Sequence, residues 1–261
     1  MAAIVLGLVA SQLAAGGLIL AAGGDDAPDA IAALGLVVAD LVILGVVVLF
    51  ARRGAERLAP ATLGIRQTRL WPAVGWMIAI YFGVLASQAL WAIVVTLAGG
   101  GGGGGHSGAR FIHMHLGTAT AILVLMAAAV SAPIVEEISF RGYLFPALTR
   151  WRGPWSAAVL TAILFGAAHI LVYPPILLPL MVCFGFGACL LFWFTGSLLP
   201  GVALHALNNA LVVSIAIGWS WQVPLAVIAC VAAAVGLLAP LARERAPQAI
   251  DTNKRQRQEA T

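Results

Sequence analysis

The sequence predicts an all-α fold, a polytopic transmembrane helical bundle of about eight spans with both termini cytoplasmic. Three observations predict it. Of 261 residues, 62% are hydrophobic and only 9% charged, where soluble domains carry about a quarter charged residues. Apolar runs of about 18 residues or more, each able to cross a hydrocarbon core of about 30 Å, recur along the chain. The basic residues gather in alternate connections, which orients the bundle.

The spans fall at about 3–22, 30–50, 72–98, 118–149, 155–172, 175–194, 198–217 and 222–241. The first has no basic n-region and outruns a signal-peptide core, so it is expected to be retained. The fourth window is too long for one upright crossing, so it should tilt, break or begin outside the bilayer, with Pro133 as the kink point. Arg52, Arg53, Arg57, Arg66 and Arg69 crowd the connection between spans two and three. Arg150 and Arg152 lie between spans four and five, and Arg243, Arg245, Lys254, Arg255 and Arg257 lie on the tail. Eight spans put these clusters on one side and leave Asp25, Asp26, Asp29 and the Gly99–Gly105 run on the other, with Arg110 as the one basic residue.

Residues 1–242 therefore read as the transmembrane bundle, with its core at about 118–217. Residues 243–261 read as a polar, basic, disordered cytoplasmic tail whose cations suit anionic lipid headgroups. The glycine run is a linker, and His106, His113 and His115 after it lack a carboxylate or Cys partner and read as an interfacial loop. Cys183, Cys189 and Cys230 fit no metal knuckle or disulfide framework and read as small buried residues. Topology accounts for the basic charge, so nucleic acid is not an expected partner; membrane lipid is. The expected location is the cell (plasma) membrane, as a multi-pass protein.

Ionisable residues inside spans cost about 2.5–3.5 kcal/mol each on insertion scales, so those present invite a functional reading. They cluster. Glu136, Glu137 and Arg141 lie in span four, His169 ends span five, and His205 and Asn209 lie in span seven. Asp40 in span two reads as a polar contact within the bundle.

Glu137 and Arg141, four apart, face each other across one turn and neutralise each other. Glu136 points about 100° away with no local cation. It is the free carboxylate and the candidate general base, with Glu137 the runner-up. Measured from the Arg150–Pro154 turn, Glu136 and His169 lie at similar depth, about 21–23 Å along their helices. His205 and Asn209 share a face but lie closer to the cytoplasmic side, so a tilt or a late helix start is needed to bring them level. Asn208 points away from Asn209 and is expected to hydrogen-bond between helices, and Phe165 to pack.

A carboxylate can take a proton from water, an imidazole can orient that water, and a further imidazole with an amide can steady an oxyanion. Neither Ser131 nor Ser139 has a local His, so water attack on an amide is the reaction class that fits. Glu136, His169 and His205 also have the ligand types of a site for a divalent metal such as zinc, with water as fourth ligand. No cofactor beyond that alternative is implied.

Glu136-Glu137-x-x-x-Arg141, Phe165-x-x-x-His169 and His205-x-x-x-Asn209 resemble the three-motif signature of the CPBP family. That family comprises type II CAAX prenyl endopeptidases, bacteriocin-processing enzymes and abortive-infection proteins. Phe140-Arg141-Gly142 is similar to its first motif, and the resemblance covers about residues 130–215. It implies an intramembrane endopeptidase with Glu136 and His169 activating water, and with His205 and Asn209 as the oxyanion or substrate-orienting pair. It implies a membrane-associated peptide or protein substrate, lipidated in the CAAX branch, and leaves glutamate-dependent and metal-dependent mechanisms open. The competing readings are a non-proteolytic peptide-binding or immunity-type protein of the same fold, and a transporter whose Glu and His relay protons.

Overall fold

The computed structural model describes residues 2–23, 29–52, 59–98, 116–170 and 173–246. The glycine run at 99–105, His106, His113, His115 and the tail beyond residue 246 lie outside the described residues. Lipid offers a backbone no hydrogen-bond partners, so the apolar runs close their own bonds as helices. Seven helices among the described residues are long and apolar enough to cross a membrane. They are α1 (Ala2–Ala21), α2 (Asp29–Arg52), α3 (Leu70–Leu97), α4 (Thr118–Ala168), α5 (Leu178–Thr195), α6 (Leu198–Ala216) and α7 (Val223–Leu238).

The 51 residues of α4 would run about 77 Å if straight, more than twice a hydrocarbon core. They fold back on themselves instead. Gly153 has φ +77° and ψ 168°, a conformation open to glycine and strained for other residues, and Pro154 follows it. The two limbs of α4, before and after Gly153, lie against each other, with Phe140 and Phe165 meeting edge to face at 5.2 Å. Counting the two limbs separately gives eight helical segments, although the second limb, residues 154–168, is shorter than a full crossing.

One end of the bundle is tied together through the 59–68 connection. Leu198 N–H donates to Gly64 O, Ser197 Oγ to Arg66 O, and Thr68 Oγ1 to Thr195 O. Gln67 N–H donates to Glu244 O, and Ala246 N–H to Gln67 O, in a single parallel bridge. The first residues of the expected tail are thus held against the connection between α2 and α3. These contacts put two of the three basic clusters at the same end, as the charge pattern requires.

Outward-facing positions carry Leu, Ile and Val, while small residues let helices approach on the inside. Gly142 is such a place, set against backbone: a Cβ there would stand 2.7 Å from Leu63 O and 3.4 Å from Leu198 Cδ1. A backbone carbonyl cannot swing away as a side chain can. Gly142→Ala is expected to destabilise the fold by about 1–3 kcal/mol, read as a lower denaturation midpoint in detergent. An unchanged midpoint would mean that the 59–68 connection yields freely.

Candidate active site

The first limb of α4 is not a uniform α-helix. It widens to i→i+5 hydrogen bonding over Ala127–Ser131 and again over Glu137–Leu144, with a short α-turn, Ala132–Glu136, between. Such π-turns recur at functional sites because they re-aim side chains without ending the helix. Pro133 has a specific consequence here. Ala132 N–H donates to Ala127 O, five residues back, so the next carbonyl, Ala128, would need a donor at residue 133. Proline has none. Asn209 Nδ2 from α6 donates to that carbonyl at 2.8 Å.

Glu137 and Arg141 are paired, as their spacing predicts: Arg141 Nη1 donates to Glu137 Oε1 at 2.9 Å, and both side chains are fully buried. The same Oε1 also accepts from His205 Nδ1 at 3.1 Å. Arg141 Nη2 donates to Gly185 O of α5 at 3.2 Å, and its guanidinium lies 4.5 Å from the centre of the Phe165 ring. That stacking gives a desolvated guanidinium an attractive face on which it needs no acceptor. Phe165 sits between the limbs, 4.8 Å from the His169 ring and 5.9 Å from the His205 ring. It packs, as expected, and forms one wall of the site.

The partners decide how each imidazole is presented. His169 Nδ1 lies 2.8 Å from Phe165 O; a carbonyl can only accept, so Nδ1 carries the hydrogen. His205 Nδ1 likewise carries the hydrogen it gives to the Glu137 carboxylate. Both rings therefore turn Nε2 toward Glu136. His169 Nε2 is 3.9 Å from Glu136 Oε1, and His205 Nε2 is 3.7 Å from Glu136 Oε2. Glu136 is 16% exposed, His169 18% and His205 4%, so the site is nearly closed yet reachable beside the acid.

The level of His205 needs no special tilt. Gly142 abuts Leu198, so the α5–α6 turn is level with Gly142, about ten residues above the α4 hairpin. Glu136 is six residues from Gly142 and His205 seven from Leu198, about 9 and 10.5 Å further in. The mismatch expected from sequence came from setting the two turns at one height.

Asn209 is brought to the same region, but its amide is turned to Ala128 O. Asn208 differs from expectation: it donates to the neighbouring Asn209 Oδ1 at 3.3 Å, not to another helix. Asp40 is the bundle contact that its position predicts, accepting at Oδ2 from Ser131 Oγ at 2.7 Å. Two features escaped the sequence reading. One is the Glu137–His205 bond, which has no local signature. The other is Tyr173, four residues after His169 and just before Pro174 and Pro175, with its ring 5.8 Å from the His169 ring.

The donor types of Glu136, His169 and His205 suit zinc. Among the described residues no group of three His, Cys, Asp or Glu side chains stands close enough, as placed, to hold an ion. No step below passes through a metal.

Comparison with known proteins gives one finding. Residues 118–211 match the family model described as type II CAAX prenyl endopeptidase Rce1-like. No curated protein and no solved structure matches the chain. The matched segment contains Glu136, Glu137, Arg141, His169, His205 and Asn209, and it agrees with the CPBP resemblance that the motifs carry. It supports a membrane endopeptidase as the general class, and the apolar helices make this a multi-pass integral membrane protein.

Proposed function

We propose, from the Rce1-like match over residues 118–211, that this chain hydrolyses a peptide bond in a membrane-associated, hydrophobic or lipidated substrate, with Glu136 as general base. The observation that carries the reading is one carboxylate facing two imidazole Nε2 atoms at 3.9 and 3.7 Å. Those gaps are too long for direct hydrogen bonds and suit groups that share one water molecule.

Glu136 Oε1 takes a proton from a water that His169 Nε2 helps to orient. The resulting hydroxide adds to the amide carbon, and the carbonyl π electrons move onto oxygen. His205, protonated at Nε2, steadies that oxygen. Glu136 then passes its proton to the amide nitrogen as the C–N bond breaks, leaving an acid and an amine. Glu137 acts through His205: its bond at Nδ1 fixes the ring, while Arg141 holds the Glu137 carboxylate in place. Asn209 holds the Pro133 break in register through Ala128 and so aims Glu136.

Purified protein in lipid vesicles, given a library of apolar peptides with internally quenched fluorophores, tests the reading. Cleavage is expected at a rate that changes by less than about twofold after prolonged chelation. A rate lost on chelation and restored by zinc would assign Glu136, His169 and His205 to a metal instead. No cleavage of any peptide, with or without added metal, would leave the peptide-binding alternative.

A further inference from the structure

The carboxylate that the mechanism leaves unused is Asp40, in the middle of α2 and only 6% exposed. Ionisable groups inside spans are rare and unfavourable to bury, and among the described residues no cation pairs with this one. Its hydrogen-bond partner is Ser131 Oγ at 2.7 Å, the last residue of the Ala127–Ser131 π-turn. Asp40 lies outside residues 118–211, the segment that carries the family match.

That bond differs from those that other helix hydroxyls make. Ser11, Ser87, Thr96 and Thr149 each donate to a carbonyl three or four residues earlier in their own helix, the usual recourse for such a hydroxyl. Ser131 reaches across to α2 instead. The π-turn is thereby held at two points by two helices. Asn209 of α6 takes the Ala128 carbonyl that Pro133 leaves without a donor, and Asp40 of α2 takes the Ser131 hydroxyl. The holding matters because a π-turn is a rare conformation. Relaxed to the α register it would lose one residue from the turn, and everything beyond would swing about 100° round the helix axis. Glu136, five residues on, would then leave the two imidazoles that it now faces at 3.9 and 3.7 Å.

We propose that Asp40 is a positioning residue: by holding Ser131 it keeps the Ala127–Ser131 turn in its π register and so aims Glu136. The role rests on the hydrolytic reading above. Asp40 is also within electrostatic reach of Glu136, so one rival account is that its charge, not its hydrogen bond, acts on the base. The other is that the bond merely joins α2 to α4.

Asp40→Leu removes the acceptor and the charge, whereas Asp40→Asn removes the charge and keeps an acceptor. On a peptide that the wild type cleaves, Asp40→Leu is expected to lower kcat by about 10–10²-fold with KM changed little, since a misaimed base slows the chemistry and leaves binding alone. Asp40→Asn should recover most of that loss. Ser131→Ala should fall as Asp40→Leu does, and the double variant no further, because both break one bond. The denaturation midpoint of Asp40→Leu in detergent should stay level or rise, since a buried carboxyl has gone. A midpoint that falls together with the rate makes the bond a joint between helices and overturns the proposal. So does wild-type kcat in both Asp40→Leu and Ser131→Ala. Asp40→Asn as slow as Asp40→Leu, beside a Ser131→Ala of wild-type kcat, assigns the effect to charge and overturns it too. A wild type that cleaves nothing removes the hydrolytic reading and this role with it, so the two failures are told apart by the wild-type lane.

Discussion

Glu136→Ala is expected to lower peptide hydrolysis by about 10³-fold or more while leaving the fold intact, because general-base catalysis by a positioned carboxylate is worth about 10²–10⁴-fold. Its surroundings explain why activity and stability should separate. Glu136 Oε2 is buried and lacks a direct hydrogen-bond partner, and both imidazoles stand beyond bonding distance. Removing such a group breaks no direct hydrogen bond, and the relief of its burial offsets the lost attraction to the His205 ring at 3.7 Å. The denaturation midpoint should therefore stay level or rise. Glu136→Gln sharpens the test, since it keeps shape and loses basicity. Near-wild-type turnover in Glu136→Gln would remove Glu136 as the base, and a collapse of the fold in either variant would mean that the acid serves the structure.

How much of this was legible in the sequence differs by element. The spans were, because a helix in lipid must be both long and continuously apolar, and that requirement leaves little freedom in α1, α2, α3 or α7. The Glu137–Arg141 pair was legible for a local reason: a spacing of four brings side chains together whatever surrounds the helix. Long-range relations were not. Nothing in the chain states that the α4 hairpin dips below the α5–α6 turn, so His205 looked misplaced in depth. The fate of Asn209 was half visible. Pro133 advertises a missing donor, but which carbonyl it orphans depends on the π-register of Ala127–Ser131, which tertiary packing sets. Reading Asn208 as an interhelical donor failed for a related reason. Its neighbour's oxygen was left open once the Asn209 nitrogen had turned to Ala128.

The second large effect is expected at the buried ion pair. Arg141→Met would leave the Glu137 carboxylate fully enclosed with His205 as its remaining bonded partner, and breaking such a pair typically costs about 3–5 kcal/mol. Glu137→Leu should cost a similar amount by stranding the guanidinium, softened by Gly185 O and the Phe165 face. The double variant is the informative one. Apolar side chains of similar volume can replace a buried pair at little or no net cost, so Glu137→Leu with Arg141→Met should regain most of the stability that either single change loses. Activity should not return with it. Without Glu137, His205 loses the acceptor that fixes Nδ1–H, and a ring free to rotate no longer presents Nε2 to the oxyanion. Denaturation midpoints and turnover measured on the three variants separate these effects. Stability that fails to recover in the double variant would mean that the pair does more than neutralise itself. Activity that recovers alongside stability would show that Glu137 has no part in orienting His205, and that the pair is there for the fold alone.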